Sequence, residues 1–248
     1  MAMLPKTLER EPLVDAAFEV RLNSAQPLAD ILPGFLLHDL DQATKVIRLP
    51  AAEIPFPMRK DDANLQFAPI QRIEIEGFSI LVGDRNIIVS CKLPYPKWPN
   101  FKPVILDVMS RVAKVDLSGF IERYSIKYVN LIQAPTHQAQ IKKIAMDIRL
   151  GDLEVSSEQI ALRVHRREED HVVHILSIAT GANGQIDSKP VSGVLVDIDS
   201  IRKVNVPDIQ TFADNLDGGL EDLKQSNKEQ FFSCLTAETI EQMGPIYE

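Results

Sequence analysis

Between Ile209 and Leu235 the apolar residues fall at Ile209, Phe212, Leu216, Leu220, Leu223, Phe231 and Leu235. Steps of three and four put them on one helical face. A helix cannot bury such a stripe by itself, so the rest of the chain must supply a surface to cover it. Asn205 is placed to cap this helix, with Asp208 three residues on reaching back and Pro207 tolerable in a first turn. Two features break the pattern. Gly218-Gly219 falls mid-helix, where each glycine costs about 1 kcal/mol relative to alanine, and predicts a bend. Asn227 falls on the stripe, where a buried amide needs a partner, and predicts a hydrogen bond to a neighbouring element. Thr236 then caps a short helix that Gly244-Pro245 stops.

The covering surface is legible in the preceding sequence. Residues 13–22 alternate as a strand, with Val14, Ala16, Phe18, Val20 and Leu22 on one face and Asp15, Glu19 and Arg21 on the other. A short helix follows from Pro27 to Leu40, bent or divided at Pro33. Residues 50–69 hold four prolines and little periodicity, an irregular connection. Ile70–Lys92 reads as successive antiparallel strands with a hairpin turn at Gly83-Asp84-Arg85-Asn86. Asn100 caps a second amphipathic helix, with Phe101, Val104, Ile105, Val108, Val112 and Val115 inward, ended by Ser118-Gly119. Residues 121–133 form a strand, 144–150 another, 160–180 a hairpin, and 191–204 the last strand before the long helix. Strands interrupted by few helices predict an α+β fold: a mainly antiparallel sheet in two similar halves, residues 1–135 and 136–248, each packed on one long amphipathic helix (about 100–116 and 207–232). The two halves can equally be one continuous domain.

Charge narrows the partners. Residues 1–150 carry 19 Lys and Arg against 17 Asp and Glu, whereas residues 151–248 carry 8 against 18. The acidic C-terminal half argues against general nucleic-acid binding, which wants a basic surface. It is either a solvated helix face or a patch for a basic partner. No run approaches the 18 apolar residues of a membrane span, and the N-terminus lacks the apolar core of a signal peptide. Only Cys91 and Cys234 are present, so neither a disulfide framework nor a cysteine metal site is signalled. A cytoplasmic protein without cofactor or metal is expected.

The richest polar stretch is the hairpin. With its turn at Glu168-Glu169, Arg163 opposes His174, His165 opposes Val172 and Arg167 opposes Asp170, all on one face. Arg163, His165, Arg167 and His174 there would hold an anion or pair with acids of another chain; otherwise they form the wet face of an antiparallel sheet. His171 and His174, three apart in a strand, point to opposite faces and make no metal pair. Asp197 and Asp199 share a strand face, as paired carboxylates must for metal or acid–base work, although the alternation also fits an ordinary polar face. Residues 179–184 (ATGANG) lack the helix and the Lys-Ser of a phosphate loop and read as a turn. Tyr95 and Trp98 lie in a proline-flanked loop, as interface anchors or as a lid over the core. No G-x-S-x-G, HExxH or G-x-G-x-x-G occurs.

Four stretches, PLVDAAFEVR, YPKWPNF, ERYSIKYVN and NKEQFFSCLTAETIEQMGPIYE, together resemble a sporadically distributed prokaryotic family of intracellular proteins of similar length with no assigned activity. The similarity covers nearly the whole chain. The family's pattern falls on Pro12, Phe18, Glu19 and Arg21, on Tyr95, Trp98 and Phe101, on Arg123, Tyr124, Tyr128 and Asn130, and on Phe231 and Thr236. The resemblance implies a shared fold and a patchily inherited gene, as for accessory or antitoxin-like components of toxin–antitoxin or phage-defence loci. It implies no mechanism. Because it marks Glu19, Arg21 and Arg123 together, the two strands that carry them are expected to be neighbours, with Glu19 bridging both arginines in a partly buried structural cluster.

Missing catalytic motifs and uneven charge point to a non-enzymatic protein-interaction or regulatory module. Its partner would be another protein, such as the product of a neighbouring gene, or a second copy of the chain. The alternatives are a small anionic-ligand or nucleotide binder, signalled by Arg21, Arg123 or Lys127 converging with tyrosines in a concave pocket, and an enzyme with a nonstandard site, signalled by convergent carboxylates or histidines.

Overall fold

The computed structural model describes residues 4–24, 26–40, 45–115, 117–149, 151–152, 155, 158–169, 171–186 and 189–247. The fold is α+β and built on an antiparallel nine-stranded sheet. In chain order its elements are β1 (Thr7–Leu8), β2 (Leu13–Ser24), α1 (Leu28–Asp39), β3 (Lys45–Arg48), α2 (Phe56–Lys60), β4 (Pro69–Ile75), β5 (Phe78–Gly83), β6 (Asn86–Cys91), α3 (Trp98–Val112), β7 (Gly119–Gln133), α4 (His137–Ile141), β8 (Ala161–Arg167), β9 (Val172–Ile186), β10 (Lys189–Val206), α5 (Ile209–Ser233), α6 (Ala237–Gln242) and β11 (Pro245–Ile246). The sheet runs β3-β4-β5-β6-β2-β7-β10-β9-β8, and β1 pairs with β11 in a separate ribbon.

The chain gathers into two compact units. One comprises residues 15–126 and 201–223, the other residues 1–14, 127–200 and 224–248. β2, β7, β10 and α5 each contribute residues to both units.

In the first unit, register carries an apolar row across four strands, Phe18 opposite Val89, Val89 opposite Ile80 and Ile80 opposite Ile73. All four are fully buried. Two helices cover this face. α1 buries Leu28, Leu32 and Leu36, with Pro33 accommodated inside it, and packs on β4, β5 and α3. α3 buries Phe101, Ile105, Val108, Met109 and Val112, and Phe101 stacks on Phe78 with ring centroids 5.9 Å apart. α3 begins two residues before the expected cap, and the Asn100 amide turns back to the Pro96 carbonyl at 2.7 Å. The proline-rich connection is held by Arg59, whose Nε and Nη2 donate to the Asp84 carboxylate at 2.7 and 2.9 Å. Both side chains are buried, and two-pronged charge-assisted pairing is the arrangement that tolerates such burial.

The second unit closes around Ile178, Val194, Val196 and Ile198 of the sheet and Phe231, Phe232 and Leu235 at the end of α5. The strand expected at 144–150 is not formed. Ile144 makes one isolated bridge to Leu235, and Leu150 lies outside the described residues. The ATGANG segment is no turn either, because β9 runs through it. Within it Gly181 adopts φ 70° and donates its N–H to the side-chain oxygen of the buried Gln140 at 2.6 Å.

α5 obeys its stripe. Ile209, Phe212, Leu216, Leu220, Leu223, Asn227 and Phe231 are all buried. Its cap is Asp208, not Asn205, since β10 remains extended through Val206 and the Asp208 carboxylate accepts from the Thr211 N–H at 2.7 Å. That bond, with a second from the Thr211 hydroxyl, holds the Asp208 carboxyl below its usual pKa. Asn227 Nδ2 donates to the Ile198 carbonyl at 3.1 Å and to Ser200 Oγ at 2.8 Å, so the amide on the stripe ties α5 to β10. A side chain on Gly219 would land on the hydroxyl of Tyr124, whereas Gly218 faces open space.

Candidate functional site

β8 ends the sheet. Six of its seven residues are exposed, among them Arg163, His165, Arg166 and Arg167, and Val164 is 44% exposed. Its register to β9 puts Arg163 opposite Ser177, His165 opposite Ile175, Arg166 opposite His174 and Arg167 opposite Val173. This differs by an odd number of residues from the expected pairing, and an odd slip moves the partner strand's side chains to the other face. The reason is the loop. Glu168 N–H bonds the Val172 carbonyl at 2.9 Å and His171 adopts φ 61°, so three residues separate the closing pair, as in a hairpin that ends on a left-handed residue. Arg163, His165 and Arg167 therefore share a face, and His174 lies on the opposite one. Asp170, the expected counterpart of Arg167, lies outside the described residues.

The backbone of β8 alternates as well. Ile160 and Glu168 bond to β9 through the Thr180 N–H and the Val172 carbonyl. In an antiparallel pair every second residue turns both its N–H and C=O to the partner, so 160, 162, 164, 166 and 168 face β9. Arg163, His165 and Arg167 turn theirs outward. Among the described residues none of these three side chains has a hydrogen-bond or ion-pair partner.

On the other face, His174 is fully buried. Its Nδ1 lies 2.8 Å from Ser200 Oγ, and its Nε2 lies 3.0 Å from Ser226 Oγ and 3.1 Å from Glu168 Oε2. Ser226 donates to Glu168 at 2.9 Å, and Gln230 joins Glu168 at 2.8 Å to Arg166 at 3.0 Å. Both ring nitrogens are thus engaged, Nδ1 with Ser200 and Nε2 with Ser226 and Glu168. Burial works to raise the Glu168 pKa, and the hydrogen bonds from His174 and Ser226 outweigh it, holding the carboxyl below the usual range. Serine, histidine and glutamate together invite a nucleophile reading. Ser200 and Glu168 do occupy opposite ring nitrogens, as a triad requires, but Ser200 has no exposed surface and already accepts from Asn227. Ser226 and Glu168 share one nitrogen, so the ring cannot take the serine's proton while the carboxylate orients it from the far side. The network fastens β9, β10 and α5 together.

In the first unit Glu19 accepts from Arg21 Nε at 3.0 Å and Arg123 Nη2 at 2.8 Å, so the bridge expected from the sequence is present. Asn86 Nδ2 adds a third bond at 2.8 Å. Sequence reasoning missed Asn86 and three further members, Arg85, Glu122 and Phe67. Arg85 contacts Glu122 at 3.3 Å, and the guanidinium carbons of Arg21 and Arg85 lie 3.8 and 5.6 Å from the centre of the Phe67 ring. The arginines that an anion would use already face carboxylates. Tyr124 lies on the other sheet face, packed against Phe18 and Phe212.

Tyr95 and Trp98 both stand edge-on to Phe101, and Trp98 Nε1 donates to Glu221 at 3.1 Å. Lys102 Nζ sits 2.8 Å from Asp217 and 2.6 Å from Glu221. Burial opposes the Lys102 charge, but the two carboxylates prevail and raise its pKa. Part of the acidic surplus of α5 is thus matched within the unit. Asp197 is paired with Lys127 at 3.0 Å. Among the described residues no three His, Cys, Asp or Glu side chains gather as a metal site, and no helix is long and apolar enough to cross a membrane. No protein-family model matches this chain, and no curated protein matches it.

Proposed function

We propose that the protein is a non-enzymatic interaction or regulatory module that engages a protein partner through the outer edge of β8. The observation that carries this reading is the coincidence, at Arg163, His165 and Arg167, of outward backbone groups with exposed side chains that have no partner among the described residues. The other polar clusters support it by contrast. Glu19 with Arg21 and Arg123, and His174 with Glu168 and the serines, are closed internal networks. An antitoxin-like accessory, the role the resemblance implies, would be one such module. The test is capture from the native host with tagged wild-type chain and with the Arg163→Glu/Arg167→Glu variant. A partner bound by the wild type and lost by the variant is expected. A partner retained by both would place the contact elsewhere and overturn the assignment to β8.

A further inference from the structure

Building on that reading, we infer that the partner presents an acidic extended segment that adds to β8 as a further strand, with carboxylates at alternate positions facing Arg163, His165 and Arg167. Two features of β8 coincide to require this pattern. The residues whose N–H and C=O point outward are the odd-numbered ones, as the Ile160 and Glu168 bonds to β9 fix by alternation. The same three residues carry cationic or titratable side chains on one sheet face. A strand laid along this edge bonds its backbone to 163, 165 and 167 and sets every second side chain beside theirs, at the short spacing of directly opposed residues. Opposite charges there stabilise the pairing and like charges oppose it.

The charges also choose between occupants. A second copy paired antiparallel through its own β8 would set Arg163 against Arg167 at both ends, like charges in each pair, with His165 against His165 between them. Edge cations commonly block such self-pairing. An acidic strand from another protein reverses the sign of the arginine contacts, and Val164, 44% exposed, offers an apolar position between them. Main-chain bonds would give the affinity and the alternate side chains the selectivity, as in other recognition by strand addition.

The test uses the full-length chain and labelled peptides, read by fluorescence anisotropy. One peptide has an alternating Glu-Val-Glu-Val-Glu core; a second has the same composition as Glu-Glu-Glu-Val-Val; a third is the alternating peptide N-methylated at the amides that would bond to β8. The alternating peptide is expected to bind, and each of the others to bind about tenfold more weakly or worse. His165→Pro removes an outward N–H without touching the bonds to β9, a position where an edge strand tolerates proline; it should weaken the alternating peptide about tenfold. Amide exchange at Val164 and Arg166 reports whether the β8–β9 ladder survives in that variant. Equal binding of the N-methylated and unmodified peptides would overturn strand addition while leaving β8 as a charged contact. Failure of every acidic peptide would overturn the partner chemistry, even where Arg163→Glu/Arg167→Glu abolishes capture of the native partner. A dimer of the free chain that dissociates on Arg163→Glu would assign the edge to a second copy and overturn the inference.

Discussion

Glu19→Gln removes one charge from the centre of the first unit's polar cluster and almost no volume. Glu19 is 14% exposed, and the arginines it bridges are 25% and 20% exposed. Hydrogen bonds to a charged group contribute about 1.5–3 kcal/mol, against about 0.5–1.5 kcal/mol for neutral ones. Glu19→Gln leaves two ionised arginines facing a neutral oxygen, so each ion pair is reduced to a bond assisted by one charge and the part-buried arginines lose their counter-charge, at a combined cost of about 2 kcal/mol. Both arginines bond Oε2 and Asn86 bonds Oε1, so a glutamine that keeps its oxygen for the arginines turns its N–H₂ toward the Asn86 N–H₂, donor against donor. In urea denaturation the midpoint should fall with an unchanged slope, the signature of lost stability without a change in exposed surface. Asp15→Asn, an exposed carboxylate on the same strand, should cost less than about 0.5 kcal/mol. A double-mutant cycle between Glu19→Gln and Arg123→Gln should return a coupling of about 1 kcal/mol or more. If Glu19→Gln cost no more than Asp15→Asn, or the cycle showed no coupling, Glu19 would be one more solvated carboxylate and would not fix strand register.

The adjacent glycines of α5 should respond in opposite directions. Gly218→Ala faces open space and should stabilise the chain by about 0.5–1 kcal/mol, while Gly219→Ala meets the hydroxyl of a buried Tyr124 and should destabilise it; stabilisation by both would contradict the packing. Glu168, whose folded pKa is depressed, contributes stability that is present above the ordinary carboxylate value of about 4.3 and is lost as pH falls through the folded value. Glu168→Gln should accordingly flatten the decline in stability between neutral and acid pH, and an unchanged decline in chemical denaturation would show that Glu168 takes no part in it.

Legibility followed periodicity. The α5 stripe, the α3 stripe and the alternation of β2 are repeated burial patterns, and each can be read from residues alone. Asn227 declared itself because it stood on a buried face, which only a hydrogen-bonded amide can occupy. Glu19 and Arg21 share a face by simple alternation, whereas their link to Arg123 rests on the resemblance that marks all three and not on any local pattern. Gly219 was read as a bend, yet its reason is a tyrosine brought from β7, which no local pattern reveals. The hairpin register turned on the backbone of His171. Histidine is among the residues enriched at positive φ, and that was the available signal. Missing it placed His174 with Arg163 on a wet face instead of in the buried network with Ser200, Ser226 and Glu168. Asp208 displaced Asn205 as the cap because β10 stays extended longer than its apolar run, a length that depends on pairing with its neighbours.

The most direct measurement is residue-resolved amide hydrogen exchange along β8, in the free chain and in complex with the captured partner. Val164 and Arg166, already bonded to β9, should be protected in both states. Arg163, His165 and Arg167 should exchange freely in the free chain and become protected in the complex. Unchanged exchange at those three amides in a saturated complex would contradict the assignment of β8 as the binding edge.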